Sequence, residues 1–137
     1  MTHSRLTLIA ALLLGCLYLG TSLADAPVAP KGVAIKVLLR TTVSGDASKE
    51  AIVASGELQP SATTGRHIHP GDEYGTVLQG ELEISVDGQP AKRVKAGEAY
   101  HNARDVIHET RNVGAGVARI VSTFIIEKGQ PISKPVP

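Results

Sequence analysis

The sequence predicts an all-β protein, either a sandwich or a small barrel, and three observations lead to that fold class. Segments of alternating polar and apolar residues recur along the chain, turn residues separate them, and no run of helical period stands out after residue 24. The clearest segment, residues 81–86 (ELEISV), alternates strictly and ends at the hairpin dipeptide Asp87-Gly88. A chain of this length has room for one hydrophobic core, so we expect a single domain.

The remaining elements follow from the same signals in chain order. A Pro-containing lead-in over residues 25–32 precedes the predicted barrel at 33–128, and a Pro-rich tail over 129–137 follows it. Within the barrel, strands are marked by Val33, Ile35, Val37 and Leu39, by Ile52, Ala54 and Leu58, by residues 81–86, by Arg93 and Val94, by residues 106–112, and by the β-branched stretch 117–127.

Residues 1–24 have the layout of a secretory signal peptide. A short positively charged start is followed by an apolar run over residues 6–20 and then by small residues, with the preferred cut after Ala24. The apolar run is too short to favour a membrane span. We therefore expect a periplasmic or secreted protein that begins at Asp25 and has no membrane insertion after processing. A lipid anchor at Cys16 is a minor alternative, because the apolar residues after Cys16 do not suit a lipoprotein cleavage site.

Composition excludes several kinds of partner. Removal of residues 1–24 takes away Arg5 and no acid, which leaves basic and acidic residues balanced at 13 each. A chain without net charge has no field to attract nucleic acid, and Tyr74, Tyr100 and Phe124 are too few aromatic residues for a stacking platform. The expected partner is instead a small molecule, apolar or acidic rather than an oligosaccharide. The same cut removes the only cysteine, so burial or a metal must stabilise the domain.

The stretch RHIHPGDEYGTVLQG, residues 66–80, carries the strongest functional signal. His67 and His69 are two positions apart, so a strand points both imidazoles to one face, and the Pro-Gly turn after them can return Glu73 to their side. His108, on a later strand, enters the same interior if its face of that strand looks inward. Three imidazoles and one carboxylate suit one divalent transition metal, namely Fe, Mn, Ni, Cu or Zn. The competing interpretation is a polar strand edge that happens to contain histidine.

Two motifs resemble those of the cupin superfamily. The first, G-x5-H-x-H-x3,4-E-x6-G, is matched by His67, His69, Glu73 and Gly80. The second, G-x5-P-x-G-x2-H-x3-N, is matched by Gly97, His108 and Asn112. The chain departs from the motifs at Ser61, in place of the first glycine, and at Ala103 and Asp105, in place of the later proline and glycine. Because Asp tolerates left-handed turns, we expect His108 to keep its place.

The resemblance implies a single-domain cupin, that is, a small β-barrel or double-stranded jelly roll. It implies one metal ion held by His67, His69, Glu73 and His108, and it extends over essentially the whole chain after the signal peptide. Because cupins often pair through edge strands, it also implies a homodimer.

The leading functional hypothesis is an exported metal-dependent oxygenase of dioxygenase-like type, in which the ion brings oxygen and a small organic substrate together. A metal-dependent lyase or isomerase is an alternative that requires a nearby base, for which Tyr74, Tyr100 and His101 are candidates. These three residues also have simpler interpretations, as barrel packing for the tyrosines and as a surface turn residue for His101. A further alternative is a non-catalytic periplasmic module that binds a small molecule or metal.

Overall fold

The computed structural model describes residues 29–137; the predicted signal peptide, its cleavage site and Cys16 lie outside that range. All regular structure in it is β-strand. The strands are β1 (Val33–Val43), β2 (Asp46–Leu58), β3 (His67–Ile68), β4 (Gly71–Gln79), β5 (Glu81–Val86), β6 (Lys92–Lys95), β7 (Ala99–Asn102), β8 (His108–Asn112), β9 (Ala118–Glu127) and β10 (Lys134–Pro135). Over these residues, no helix has the length and hydrophobicity that would cross a bilayer.

The strands form two five-stranded antiparallel sheets. The first sheet has the order β1-β2-β9-β4-β7, and the second has the order β10-β3-β8-β5-β6. Consecutive strands therefore often lie in different sheets, and the chain crosses between the layers at the turn between β3 and β4. The predicted all-β barrel or jelly roll is confirmed.

The hydrophobic core lies between the layers in two clusters. The larger cluster contains Val33, Leu58, Val77, Leu82, Ile84, Val94, Tyr100, Ala118 and Ile120. The smaller cluster contains Ile52, Ala54, Phe124 and Ile126, and Ile132 from the C-terminal segment packs against it. Burial of one Leu or Ile side chain stabilises the fold by about 1.5–3 kcal/mol. The shared parity of Ile52, Ala54 and Leu58 is confirmed, because all three are buried.

Strand β1 forms as predicted, but its alternation breaks. A bulge between Val37 and Leu39 shifts the pairing with β2, so Leu39 no longer shares a face with Val33. Ile35, Val37, Leu38 and Leu39 are 45–53% exposed. Strand β1 is the edge of its sheet, and among residues 29–137 no strand pairs with its outer side.

Two non-glycine residues of the described chain have positive φ, and both stand where the motifs have glycine. They are Ser61, with φ of 65°, and Asp105, with φ of 58°. The amide of Asp105 donates a hydrogen bond to the carbonyl of His69 at 2.9 Å, which ties this turn to the first histidine segment. The turn geometry therefore survives the loss of glycine at position 105, and His108 enters the interior as predicted.

Candidate metal centre

Three histidines converge because two short strands pair. His67 on β3 lies directly opposite His108 on β8, and their ring centroids are 4.3 Å apart. His69 follows β3 by one residue, and its ring centroid is 4.8 Å from each of the other two. His69 and His108 are 3% and 1% exposed. One nitrogen of each ring can be chosen so that all three lie within 4.8 Å of one another, an arrangement that could hold a metal ion.

The backbone fixes which nitrogen of each ring faces the others. The Nδ1 atoms of His67, His69 and His108 lie 2.9, 2.7 and 2.9 Å from the carbonyl oxygens of Gly65, Ile132 and Val106 respectively. A carbonyl oxygen only accepts, so each Nδ1 carries the hydrogen and each Nε2 keeps a lone pair when the ring is neutral. The Nε2 atoms of His69 and His108 are 3.2 Å apart.

Glu73 reaches the cluster from the opposite sheet. Its Oε2 lies 3.2 Å from Nε2 of His69 and 3.8 Å from Nε2 of His108. The same Oε2 accepts a hydrogen bond from Nδ2 of Asn102 at 2.8 Å. Its Oε1 accepts hydrogen bonds from the hydroxyls of Ser122 at 2.7 Å and Tyr100 at 3.2 Å. The carboxylate is therefore held on both oxygens and directed at the imidazoles.

The surroundings set the protonation states of the cluster. Burial lowers the pKa of His67 from 6.5 to about 4, and burial also lowers the pKa of His108. Burial by itself would raise the pKa of Glu73, but the hydrogen bond and charge of His69, with the bonds from Ser122 and Asn102, lower that pKa to about 2. Neutral imidazoles at positions 67 and 108 beside an ionised carboxylate are the states that metal binding requires.

The donor set fits a divalent cation. When His69 and His108 are both neutral, their Nε2 lone pairs face each other at 3.2 Å and neither atom has a hydrogen to donate. A proton or a metal ion between the two atoms would satisfy both lone pairs. Ligand atoms about 2.1 Å from one ion are themselves about 3.0–3.4 Å apart in octahedral or tetrahedral geometry. The separations of 3.2 Å between the two Nε2 atoms and 3.2 Å from His69 to Glu73 agree with that spacing, and the separation of 3.8 Å from His108 to Glu73 is wider.

The three candidate catalytic residues occupy different places. Tyr100 points inward, and its hydroxyl contacts Glu73 and, at 3.3 Å, the hydroxyl of Ser122. Burial and the charge of Glu73 raise the pKa of Tyr100, which keeps the phenol protonated. Tyr74 and His101 lie on the outer face of the sheet, because they have the opposite strand parity to Glu73 and Tyr100. Their rings stack at 4.9 Å, and His101 pairs with Asp72 at 2.8 Å.

Several supporting residues were not found from the sequence. Ser122 had a signal, since it is the one polar residue among the inward-facing positions of strand β9, which are otherwise apolar. Asn102 had none, because β7 was not predicted. Gly75 faces the Tyr100 ring, and a Cβ there would clash with the phenol, so this glycine makes room for Tyr100 to reach Glu73. The carbonyl of Ile132 in the tail carries no sequence signal at all.

The cluster opens into a cavity of about 710 Å³ between the sheets. His67, His69 and Glu73 form part of its wall, and residues 131–133, Pro135 and Val136 of the C-terminal segment form another part. Small-molecule sites in proteins typically have volumes of about 300–1,000 Å³. The volume is therefore sufficient for a small organic molecule beside His67 and His69.

The fold and the cluster together define a class of protein, the small two-sheet β-barrels that carry a histidine-rich centre able to hold a metal ion inside the barrel. The family follows from the sequence comparison. The chain belongs to the Cupin_2 family, whose Cupin domain model matches residues 54–124. This match includes the three histidines, Glu73 and the strands that carry them.

Individual proteins resemble this chain in sequence or in structure. The HTH-type transcriptional regulator PuuR of Escherichia coli strain K12 is 34% identical over 87 residues, which are 63% of this chain and 46% of that protein. The chain spans about half the length or less of the curated relatives it matches. A protein of Klebsiella pneumoniae with a double-stranded β-helix domain has a TM-score of 0.62 at 20% identity, over 76% of this chain and 86% of that chain. An oxalate oxidase structure has a TM-score of 0.57 at 26% identity, over 79% and 62% of the two chains.

Proposed function

We propose that this chain is an exported cupin that binds one divalent metal through His67, His69, Glu73 and His108, and that it is a metal-dependent oxygenase acting on a small organic molecule. One observation carries the proposal. Each imidazole donates Nδ1–H to the backbone, so the Nε2 lone pairs and a fixed carboxylate are left beside a cavity large enough for a substrate. Imidazole-rich sets with one carboxylate suit Fe, Mn, Ni, Cu or Zn.

An ion of this group, when bound with open coordination positions, supplies Lewis-acid chemistry and, for Fe, Mn or Cu, redox chemistry toward oxygen. The protein's own part is to bind and orient. Tyr100, Ser122 and Asn102 hold the carboxylate of Glu73, and the cavity receives the substrate next to the histidines. The similarity to an oxalate oxidase at 26% identity supports oxidation of a small organic acid as the reaction type.

A lyase or isomerase is less well supported because it requires a base close to the substrate. Tyr74 and His101, two of the three candidates, face the outside of the barrel. The third, Tyr100, stays protonated beside Glu73, since burial and that negative charge raise its pKa. Tyr100 can donate a hydrogen bond, but it is a poor acceptor of a proton.

A non-catalytic ligand-binding module is the second candidate function. It is favoured by the similarity to PuuR, a transcriptional regulator, at 34% identity, which exceeds the identity to the oxalate oxidase. In this case the same cavity would bind a small molecule, and the metal would anchor it without turnover.

The deciding experiment is metal analysis followed by oxygen uptake. The protein is purified without added metal, its metal content is measured by mass spectrometry, and oxygen consumption is followed with a panel of small enols, diols and organic acids. We expect about one bound ion per chain and substrate-dependent uptake. A tightly held ion with no uptake across the panel would favour the binding module.

Matched variants test the ligand assignment in the same assay. His108→Ala and His69→Ala should each release the ion, because each removes a buried imidazole from the cluster. His101→Ala is the control, since this histidine is on the outer face and contacts Asp72 instead. Full metal occupancy in His108→Ala would show that the ligand set is wrong.

Export and pairing are part of the proposal. The N-terminal layout supports cleavage after Ala24, and mass spectrometry of the exported protein should give Asp25 as its first residue. The exposed apolar residues of edge strand β1 support a homodimer. Light scattering should give twice the chain mass, and Leu38→Lys on β1 should reduce it to that of a monomer.

A further inference from the structure

The wall of the cavity is mainly apolar away from the histidines. The side chains that form this part of the wall are Ile35, Ala54, Ile120, Phe124, Ile132 and Val136. They come from strands β1, β2 and β9 of the first sheet and from the C-terminal segment. The backbones behind Ala54, Ile120 and Phe124 belong to β2 and β9, which are paired on both sides, so their amide and carbonyl groups are not available to a ligand. This part of the wall offers a bound molecule van der Waals contact and no hydrogen bonds.

Most polar side chains that line the cavity already have partners. The hydroxyls of Tyr100 and Ser122 are bonded to Glu73. The hydroxyl of Thr64 accepts from the amide of Thr110 at 3.0 Å and donates to the carbonyl of Gly65 at 3.1 Å. The remaining lining hydroxyls, those of Ser55, Ser133 and Thr110, offer few partners, so a ligand with several hydroxyl groups would leave most of them unpaired, at about 1–3 kcal/mol for each.

The two arginines at the cavity are also paired. Arg40 contacts Glu50 at 2.6 Å, and Arg66 makes two contacts with the carboxylate of Asp87, at 2.9 and 3.1 Å. Both arginines are about half exposed, so water screens their charge. The charge that decides which head group binds is therefore at the buried cluster.

The cluster favours an anionic head group. Neutral imidazoles and one carboxylate around a divalent cation have a net charge of +1, and the site is buried, where charge interactions are stronger than in water. The hydroxyl of Thr110, which lies two residues beyond His108 on the same face of β8 and lines the cavity, makes no hydrogen bond with any described residue. It is available to a head group bound at the centre.

We propose that the ligand of this cavity is a small monocarboxylate or enolate with an unbranched or lightly branched hydrocarbon body, and not a sugar acid. The anionic oxygen binds at the metal centre, and the hydrocarbon body lies against the apolar wall. The inference rests on the proposed metal centre but not on catalysis, since it concerns binding alone.

Isothermal titration calorimetry on the metal-loaded protein tests it. Butanoate, hexanoate and octanoate measure the effect of chain length, and gluconate is the matched control for hexanoate because it has six carbons, one carboxylate and five hydroxyls. We expect affinity to rise about threefold to fourfold for each added methylene, which corresponds to about 0.8 kcal/mol per buried CH2. Gluconate should bind at least tenfold more weakly than hexanoate.

Two variants locate the hydrocarbon body. Ile35→Asn changes a wall residue that is 51% exposed, so the fold tolerates it, and it should weaken octanoate about fivefold while leaving butanoate unchanged. Leu38→Asn is the control, because this leucine is 53% exposed on the same edge strand and does not line the cavity. Equal affinity for gluconate and hexanoate, no dependence on chain length, or no binding of any of these acids to loaded protein would overturn the inference. Failure of the proposed oxygenase function is a separate result, which metal content and oxygen uptake report independently.

Discussion

The C-terminal segment is predicted to control metal affinity, and its removal is the sharpest test of how the centre is built. The carbonyl of Ile132 accepts the Nδ1–H of His69 at 2.7 Å. Strand β10 pairs with β3, and the amide of Val136 donates to the carbonyl of Arg66 at 3.0 Å. A chain that ends at Gln130 loses all of these contacts, so His69 can rotate or change tautomer.

The magnitude follows from the contacts that are lost. Removal of the hydrogen-bond partner of a metal-binding histidine typically costs 10-fold to 100-fold in metal affinity. Loss of the partly buried Ile132 side chain and of a few backbone hydrogen bonds should also lower the free energy of unfolding, by roughly 2–4 kcal/mol. We therefore expect the truncated protein to fold, to melt at a lower temperature and to bind metal 10-fold to 100-fold more weakly.

The assay is competition with a chromophoric chelator at a temperature well below the melting point, with circular dichroism to confirm the β fold. A chain that lacks only Pro137 is the control, because it keeps every contact described for the segment. Wild-type metal affinity in the chain that ends at Gln130 would refute the positioning role of Ile132.

Three further predictions concern stability and packing. The pKa of His67 is about 4 in the folded chain and near 6.5 in the unfolded chain, so the unfolded chain binds the proton more tightly. The free energy of unfolding of the chelator-treated protein should therefore fall by on the order of 3 kcal/mol as pH falls from 6.5 to 4. A melting temperature that stays constant over that range would contradict this prediction. Ser61→Gly and Asp105→Gly should each raise the melting temperature by about 2–5 °C, since they relieve left-handed strain of roughly 0.5–1 kcal/mol net. Gly75→Ala should destabilise the protein by about 1–3 kcal/mol through its clash with Tyr100, and less so in a Tyr100→Ala background, as calorimetry of the double mutant would show.

Strand parity predicted much of the site. The spacing of His67 and His69, and the inward face of β8 with His108, follow from the two-residue period of a strand, and the structure places all three rings together. Pro-Gly after His69 was expected to return Glu73 to the imidazoles. The carboxylate does reach them, because the chain crosses to the other sheet at this turn and Glu73 faces the imidazoles from there.

Other features depend on tertiary contacts that local sequence does not encode. Strand β7 has only four residues and was missed, although it carries Tyr100 and Asn102. The alternation of apolar residues along β1 predicted a strand but not that most of its side chains are exposed. An alternating pattern shows which residues share a face, and it does not show whether another layer of the fold covers that face. The role of the tail depends on a backbone carbonyl, which every residue type provides equally.

The origin of the ligands from two layers has a consequence for the whole barrel. The three histidines lie on or beside strands of the second sheet, and Glu73 lies on the first sheet. A single cation bound by all four residues would therefore cross-link the two sheets. Residues 29–137 contain no cysteine, so no disulfide within them can do the same. An ion present at a hundred times its dissociation constant adds about 2.7 kcal/mol to the free energy of unfolding. The supply of metal in the surrounding compartment would then set how long each molecule survives proteolysis.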